Sequence, residues 1–297
     1  MIILCADDFG LTAGVSRAIA HLCHERRLSA ASALVTFDDW PDQAQSLQEL
    51  RATTAIGLHL NLTLGRPQLP AENATYLDGS GAFLSLTKLI ARALTRRLDI
   101  NQIQLECSAQ ITAFRNATGY LPDFVDGHQH VHALPVVRQG VLAAIAEQHW
   151  LQRPLLRSPL RQPDMGSLGL TTTLKARTAD WLARGYDHDL SRAGLPYNDT
   201  FAGFSAFSAG HYADELEAAL QSGKSSEKGT SVQRRCHLVM CHPGYVDDAL
   251  ARSGDPVVEQ RQEEFDALMS SDQLPERIWQ PVRGQDGAIN WFEAIGR

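Results

Sequence analysis

Short strand-length runs, each closed by a polar cluster and followed by a helical pattern, recur along this chain, and that order constrains the fold more than any other feature. Residues 2–6 form a continuous apolar run, as expected of a strand buried on both faces in a parallel sheet. Strands are likewise predicted over 30–36, 55–62, 124–132, 155–157 and 237–241. Between them, apolar residues return at helical spacing. Val15, Ala18, Ile19 and Leu22 follow the first run, with Thr12 placed to cap a helix over 13–27. Pro41 opens a helix to Leu50, and further helices are predicted over 85–97, 101–117, 134–150, 171–184 and 257–270. Strand, loop and helix in repeated order predict an α/β protein with right-handed crossovers. Pattern alone leaves a barrel, closed or partial, and a doubly wound sheet both open. A dinucleotide fold is disfavoured, because Asp7-Asp8-Phe9-Gly10 sets two negative charges where a glycine turn would meet a pyrophosphate.

The 297 residues, 44% of them apolar, are enough for one large core. No linker interrupts them, so a single domain over 1–297 is expected, with the polar stretch 222–235 as a surface loop. Twenty-seven Lys and Arg against 34 Asp and Glu give a net charge of -7, with no concentrated basic patch for nucleic acid. The five cysteines are scattered and contain no CxxC pair, which argues against a disulfide framework and a thiolate zinc site. The opening apolar run ends at Asp7, too short for a signal peptide, and no segment has the roughly 20 apolar residues of a membrane span. A cytoplasmic protein is expected.

The polar clusters fall at the C-terminal ends of predicted strands, where parallel α/β folds assemble their sites. Asp7 and Asp8 are adjacent and would repel if brought together; a cation bound by one carboxylate would relieve that and leave the other as a base. His59 and Asn61 share one side of an apolar strand, where two inward polar groups need partners. Asp126, His128, His130 and His132 share one parity if their strand stays extended. Residues two apart on a strand face are about 7 Å apart, so one histidine could ligate an ion while the others serve as outer partners or face substrate. His242, held by Pro243 and Gly244, could protonate a leaving amine or steady an oxyanion. A cysteine nucleophile finds no basic partner in the pattern, and no GxSxG elbow is present.

Together these clusters resemble the YdjC-like family of carbohydrate deacetylases, which includes chitooligosaccharide deacetylases. The matching pieces are Ala6-Asp7-Asp8-Phe9-Gly10-Leu11, Gly57-Leu58-His59-Leu60, Asp126-Gly127-His128-Gln129-His130-Val131-His132 and His242-Pro243-Gly244. The resemblance implies an irregular, TIM-like (β/α) barrel related to polysaccharide deacetylases. It implies one divalent ion, Mg²⁺ or Zn²⁺, held by Asp8, His59 and His128, with Asp7 as general base and His242 as acid or transition-state stabiliser. Asn61, Asp126, His130, His132 and Tyr245 become outer partners or substrate-facing groups, Tyr245 as the aromatic beside His242. The implied substrate is an N-acetylated amino sugar or chitin-type oligosaccharide, and the implied assembly a homodimer. The competing readings are another metal-dependent amidohydrolase or phosphoesterase, and a non-catalytic sugar- or metal-binding protein. A phosphate substrate would favour Lys or Arg at the strand ends, and the four clusters carry none.

Overall fold

A computed structural model of the chain describes residues 1–70, 73–160, 178, 180–203, 210–222, 235–253, 255 and 257–296. Among these residues, seven strands form one parallel sheet: β1 (Ile2–Phe9), β2 (Ala30–Ala33), β3 (Ala55–Leu60), β4 (Phe124–Gly127), β5 (Leu155–Leu156), β6 (Thr200–Ala202) and β7 (His237–Cys241). Their order is β5-β4-β3-β2-β1-β7-β6, and every pairing is parallel. A bridge from Leu156 to Tyr197, just before β6, draws the two sheet edges towards each other. The Leu156 N–H donates to the Pro196 carbonyl at 2.8 Å. This half-barrel agrees with the irregular (β/α) barrel that the sequence resemblance implied.

The principal helices are α1 (Ala13–His24), α2 (Leu86–Leu94), α3 (Ile100–Thr118), α4 (Val137–Ala146), α5 (Tyr186–Arg192), α6 (Tyr212–Ser222), α7 (Val258–Ser270) and α8 (Trp291–Ile295). Thr12 caps α1, accepting from the Val15 N–H at 3.3 Å. The helix expected over 41–50 is broken into short turns. Most of the one expected near 171–184, and most of the loop expected over 222–235, lie outside the described residues. No helix among the described residues is long and apolar enough to cross a membrane.

Strand alternation sorts the side chains into two cores. Leu4, Ala6, Ile56, Leu58, Val125 and Val239 pack outward against the helices. Ile3, Cys5, Phe124, Leu155, Leu238 and Met240 pack on the inner face. The bottom of that inner core is plugged by Trp291 and Ile295 of α8. The Trp291 indole donates to the Asp123 carbonyl at 2.6 Å, and Arg283 grips the Asp123 carboxylate at 2.7 and 2.8 Å. Continuing the inner parity upward lands on Asp7, Ser32, His59, Asp126, Arg157 and His242, so the fold itself directs the polar residues to one end.

Gly57 marks how tightly the layer beneath is filled: a Cβ there would lie 2.3 Å from the Phe124 ring. That ring is buried, so it has little room to yield. Gly57→Ala is expected to cost about 1–3 kcal/mol. Thermal melting reads this as a lowered Tm, and an unchanged Tm would mean that the ring moves freely.

Candidate active site

β1 carries the first two residues of the cluster. Asp7 follows Ile3 and Cys5 on the inner face, and regular alternation would send Asp8 outward. It does not, because Asp8 takes φ +69° and the pairing of β1 with β2 slips between Ala6 and Phe9. This bulge turns both carboxylates inward, each residue only 2% exposed. A left-handed aspartate carries local strain, of the kind found where a side chain must be aimed.

Two buried arginines neutralise the pair. Arg157, directly after β5, grips both oxygens of Asp7 with Nη1–Oδ2 and Nη2–Oδ1 each 2.6 Å, and its Nη2 also pairs with Asp126. Arg261 of α7 donates from Nη2 to Asp8 Oδ2 at 2.7 Å. Burial alone would push both carboxyls up; Arg157 beside Asp7 and Arg261 beside Asp8 overcome it and hold both well below the usual carboxylate range. From sequence, a cation was the expected partner for this pair, and the four polar clusters carried no basic residue to share that role. Two guanidiniums from outside those clusters also balance the pair, and both are committed to carboxylates.

The one oxygen of the pair without an arginine, Asp8 Oδ1, faces two imidazoles. His128 Nδ1 lies 3.0 Å from it and His59 Nε2 lies 3.3 Å. His59 Nδ1 is 2.8 Å from Asp126 Oδ1, and Asp126 also accepts from Ser32. A neutral His59 donating from Nδ1 to Asp126 would therefore aim the Nε2 lone pair at the cluster, the arrangement by which a carboxylate orients a liganding imidazole. The donor atoms of Asp8, His59 and His128 all lie within 4.8 Å of one another. Burial opposes a charge on His59, but Asp126 and Asp7 hold its pKa up to about 10. A second grouping, Cys5, Asp7 and Asp126, surrounds the Arg157 guanidinium. His128 gives the cluster its outlet, its side chain 17% exposed.

The other expected positions divide. His242 is within electrostatic reach of Asp8 and Asp7, and burial keeps its imidazole neutral by lowering its pKa. Its backbone N–H donates to Glu264 of α7. The extended run expected through His132 stops at Gly127; Gln129 and His130 take φ +54° and +58°, and a 3-10 segment runs over His128–Ala133. Shared parity for His130 and His132 is thus lost. His132 Nε2 donates to the Arg157 carbonyl at 2.7 Å, and burial lowers its pKa to about 4, so it steadies the end of β5 as a neutral ring. His130 meets the Phe201 ring edge-on, centroids 5.4 Å apart.

Asn61 divides its whole amide between the loop after β3 and Thr36, which follows β2. It accepts from the Thr63 and Leu64 N–H groups and donates to Thr36 Oγ1 and the Leu64 carbonyl. That commitment holds a turn and leaves it no hydrogen-bonding capacity for substrate. Tyr245 turns away to the helices: its hydroxyl is 2.7 Å from His21 Nδ1, and its ring centroid is 4.7 Å from that of Phe265. The sugar-facing role expected of Tyr245 therefore has no support in its contacts.

A model of the YdjC-like protein family matches residues 1–276. The chain belongs to the YdjC-like family. It is 29% identical to a human carbohydrate deacetylase over 248 residues, covering 82% of this chain and 75% of that one. It is 28% identical to a chitooligosaccharide deacetylase of Yersinia pestis (strain Pestoides F), covering 86% of this chain and 85% of that one. Among solved structures, a putative cellobiose-phosphate cleavage protein from Enterococcus faecalis V583 superposes with a TM-score of 0.67 at 23% identity, covering 99% of this chain and 98% of that one, and so shares the fold.

Three buried residues of this YdjC-like chain escaped the sequence reading: Arg157, Arg261 and Glu264. Arg157 was accessible in principle, since it ends a predicted strand at the parity of the other inward groups. The two residues of α7 carried no such signal. Glu264 is almost fully enclosed, and burial pushes its carboxyl up to about 7 against the pull of the His242 N–H and Arg261. A raised carboxyl pKa stabilises the fold fully below its ordinary value of 4.5, and that contribution is lost as pH rises to about 7. Glu264→Gln is expected to flatten the decline in Tm across that interval. Melting curves that parallel the parent at every pH would contradict this.

Proposed function

We propose that this YdjC-like chain is a divalent-metal-dependent carbohydrate N-deacetylase, hydrolysing the acetamide of an N-acetylated amino sugar or chitin-type oligosaccharide. The names of the human and Yersinia relatives support the substrate class. The observation that carries the reading is the convergence of Asp8 Oδ1, His59 Nε2 and His128 Nδ1 beside a second, separately held carboxylate, Asp7. Two imidazoles and one carboxylate fit a borderline ion such as Zn²⁺ better than Mg²⁺, which prefers oxygen donors. Such an ion, when bound, supplies an acidified water and polarises the acetamide carbonyl.

The chain's own residues would do the rest. Asp126 fixes the His59 ring so that Nε2 is presented. Arg157 fixes Asp7, whose Oδ2 still lies 3.9 Å from His59 Nε2 and retains a second lone pair to accept a proton. Because Arg157 makes a protonated Asp7 unfavourable, the proton passes on readily. His242, whose buried imidazole feels both aspartates electrostatically, is the group we assign to give a proton to the departing amine.

The test is acetate release from a panel of N-acetylated mono- and oligosaccharides with defined cations. Asp7→Asn is expected to keep the cation and lose about 10²–10⁴-fold in kcat. Unchanged turnover would remove Asp7 as the base.

A further inference from the structure

The carboxylate of Asp8 is engaged on its two oxygens by different partners. Oδ1 faces His128 and His59, whereas Oδ2 accepts from Arg261 Nη2 at 2.7 Å. Arg261 is itself held from several directions. Its Nε donates to Asp255 Oδ2 at 2.5 Å, and its Nη1 is 3.4 Å from the His242 carbonyl. The backbone carbonyl of Arg261 accepts from the Gly244 N–H at 2.9 Å. A Cβ placed on Gly244 would lie 3.1 Å from Arg261 Cδ, so the stem is packed against the turn that follows His242. With 2% of its side chain exposed, the guanidinium has nowhere to follow Asp8 if that carboxylate rotates.

A free carboxylate can offer a cation one oxygen or both. We propose that Arg261 is a positioning residue that restricts Asp8 to one oxygen towards His59 and His128, and couples that setting to the His242 turn. It acts through Asp8 and touches no reacting atom. The proposal rests on the metal-site reading above. Removing the guanidinium frees Oδ2 and also deletes a positive charge beside the site. Both changes favour a dication, while the donor arrangement suited to turnover is lost. Affinity and turnover should therefore move in opposite directions, which loss of a merely supporting residue would not produce.

The experiment compares the full chain with Arg261→Met and Arg261→Lys, each prepared metal-free and checked for folding by circular dichroism. Zn²⁺ affinity is measured by competition with a chromogenic chelator, the Co²⁺ form by visible absorption, and acetate release by kcat and KM. In Arg261→Met the expected results are Zn²⁺ binding as tight as the parent or tighter, a weaker Co²⁺ band from the added donor, and kcat lowered at least about tenfold with KM little changed. Arg261→Lys keeps the charge without the fork and should fall between. Weakened Zn²⁺ binding in both variants, or an unaltered Co²⁺ spectrum, would overturn the proposal. Should Arg261→Met fail to fold, Asp255→Asn loosens the same guanidinium from its outer side and should shift the Co²⁺ spectrum in the same direction; an unaltered spectrum counts against the proposal. If the parent chain binds neither Zn²⁺ nor Co²⁺, it is the metal-site reading that fails.

Discussion

His59→Ala is expected to lower acetate release by at least about a hundredfold, already the upper end of what losing an outer partner of a metal ligand costs, and to abolish stoichiometric binding of Zn²⁺. His59 is the residue whose two ring nitrogens join the two halves of the site. Nδ1 is 2.8 Å from Asp126, and Nε2 is 3.3 Å from Asp8. Removing the ring leaves Asp126 with Ser32 and Arg157 as partners, so the deletion does not strand a buried charge. The fold should therefore survive, and the loss can be assigned to the site. Calorimetric titration with Zn²⁺ beside the activity assay checks both halves, and retained one-to-one binding in His59→Ala would contradict the proposed ligand set.

Arg157→Met has the largest expected effect on stability. One buried guanidinium neutralises Asp7 and Asp126 and also meets the Cys5 sulfur at 3.2 Å. Methionine preserves some of the volume and removes the charge. Breaking a buried pair from one side costs about 3–5 kcal/mol, because the remaining charge is left uncompensated. For a chain of this length that is on the order of a 10 °C fall in Tm. The sign of its pH dependence follows from Asp7. Its carboxyl is held below the usual range in the folded chain, so the stabilisation is present above the ordinary value of 3.8 and fades as pH falls below it. The gap between parent and variant should narrow in acid. A variant that melts within a degree or two of the parent at neutral pH would show that the two carboxylates are balanced by something else.

Much of this arrangement was legible because strand alternation is a strict geometric rule. Asp7, His59 and Asp126 lie on the inner parity of strands whose apolar pattern announces them, and His242 extends the parity of β7. What escaped the sequence depends on departures from regular backbone or on distant packing. The left-handed φ of Asp8 turns it to the side that alternation forbids. The consecutive left-handed residues Gln129 and His130 end β4 and redirect His132 to the Arg157 carbonyl. Asn61 has the inward position expected of it, yet the turn that follows it and Thr36 between them take all of its side-chain hydrogen bonds. Arg261 and Glu264 sit on a helix far along the chain, and only the packing of α7 against the His242 turn gives them meaning. Tyr245 adjoins His242 in sequence, but the intervening Pro243-Gly244 turn sends its ring to α1 and α7.

The most direct test of the account is acetate release from di-N-acetylchitobiose by the metal-free chain as Zn²⁺ is added back in measured equivalents. Release should be absent without a cation and should rise to a plateau at one equivalent, because Asp8, His59 and His128 are proposed as the ligands of a single ion. Release that proceeds undiminished in the presence of a strong chelator would contradict it.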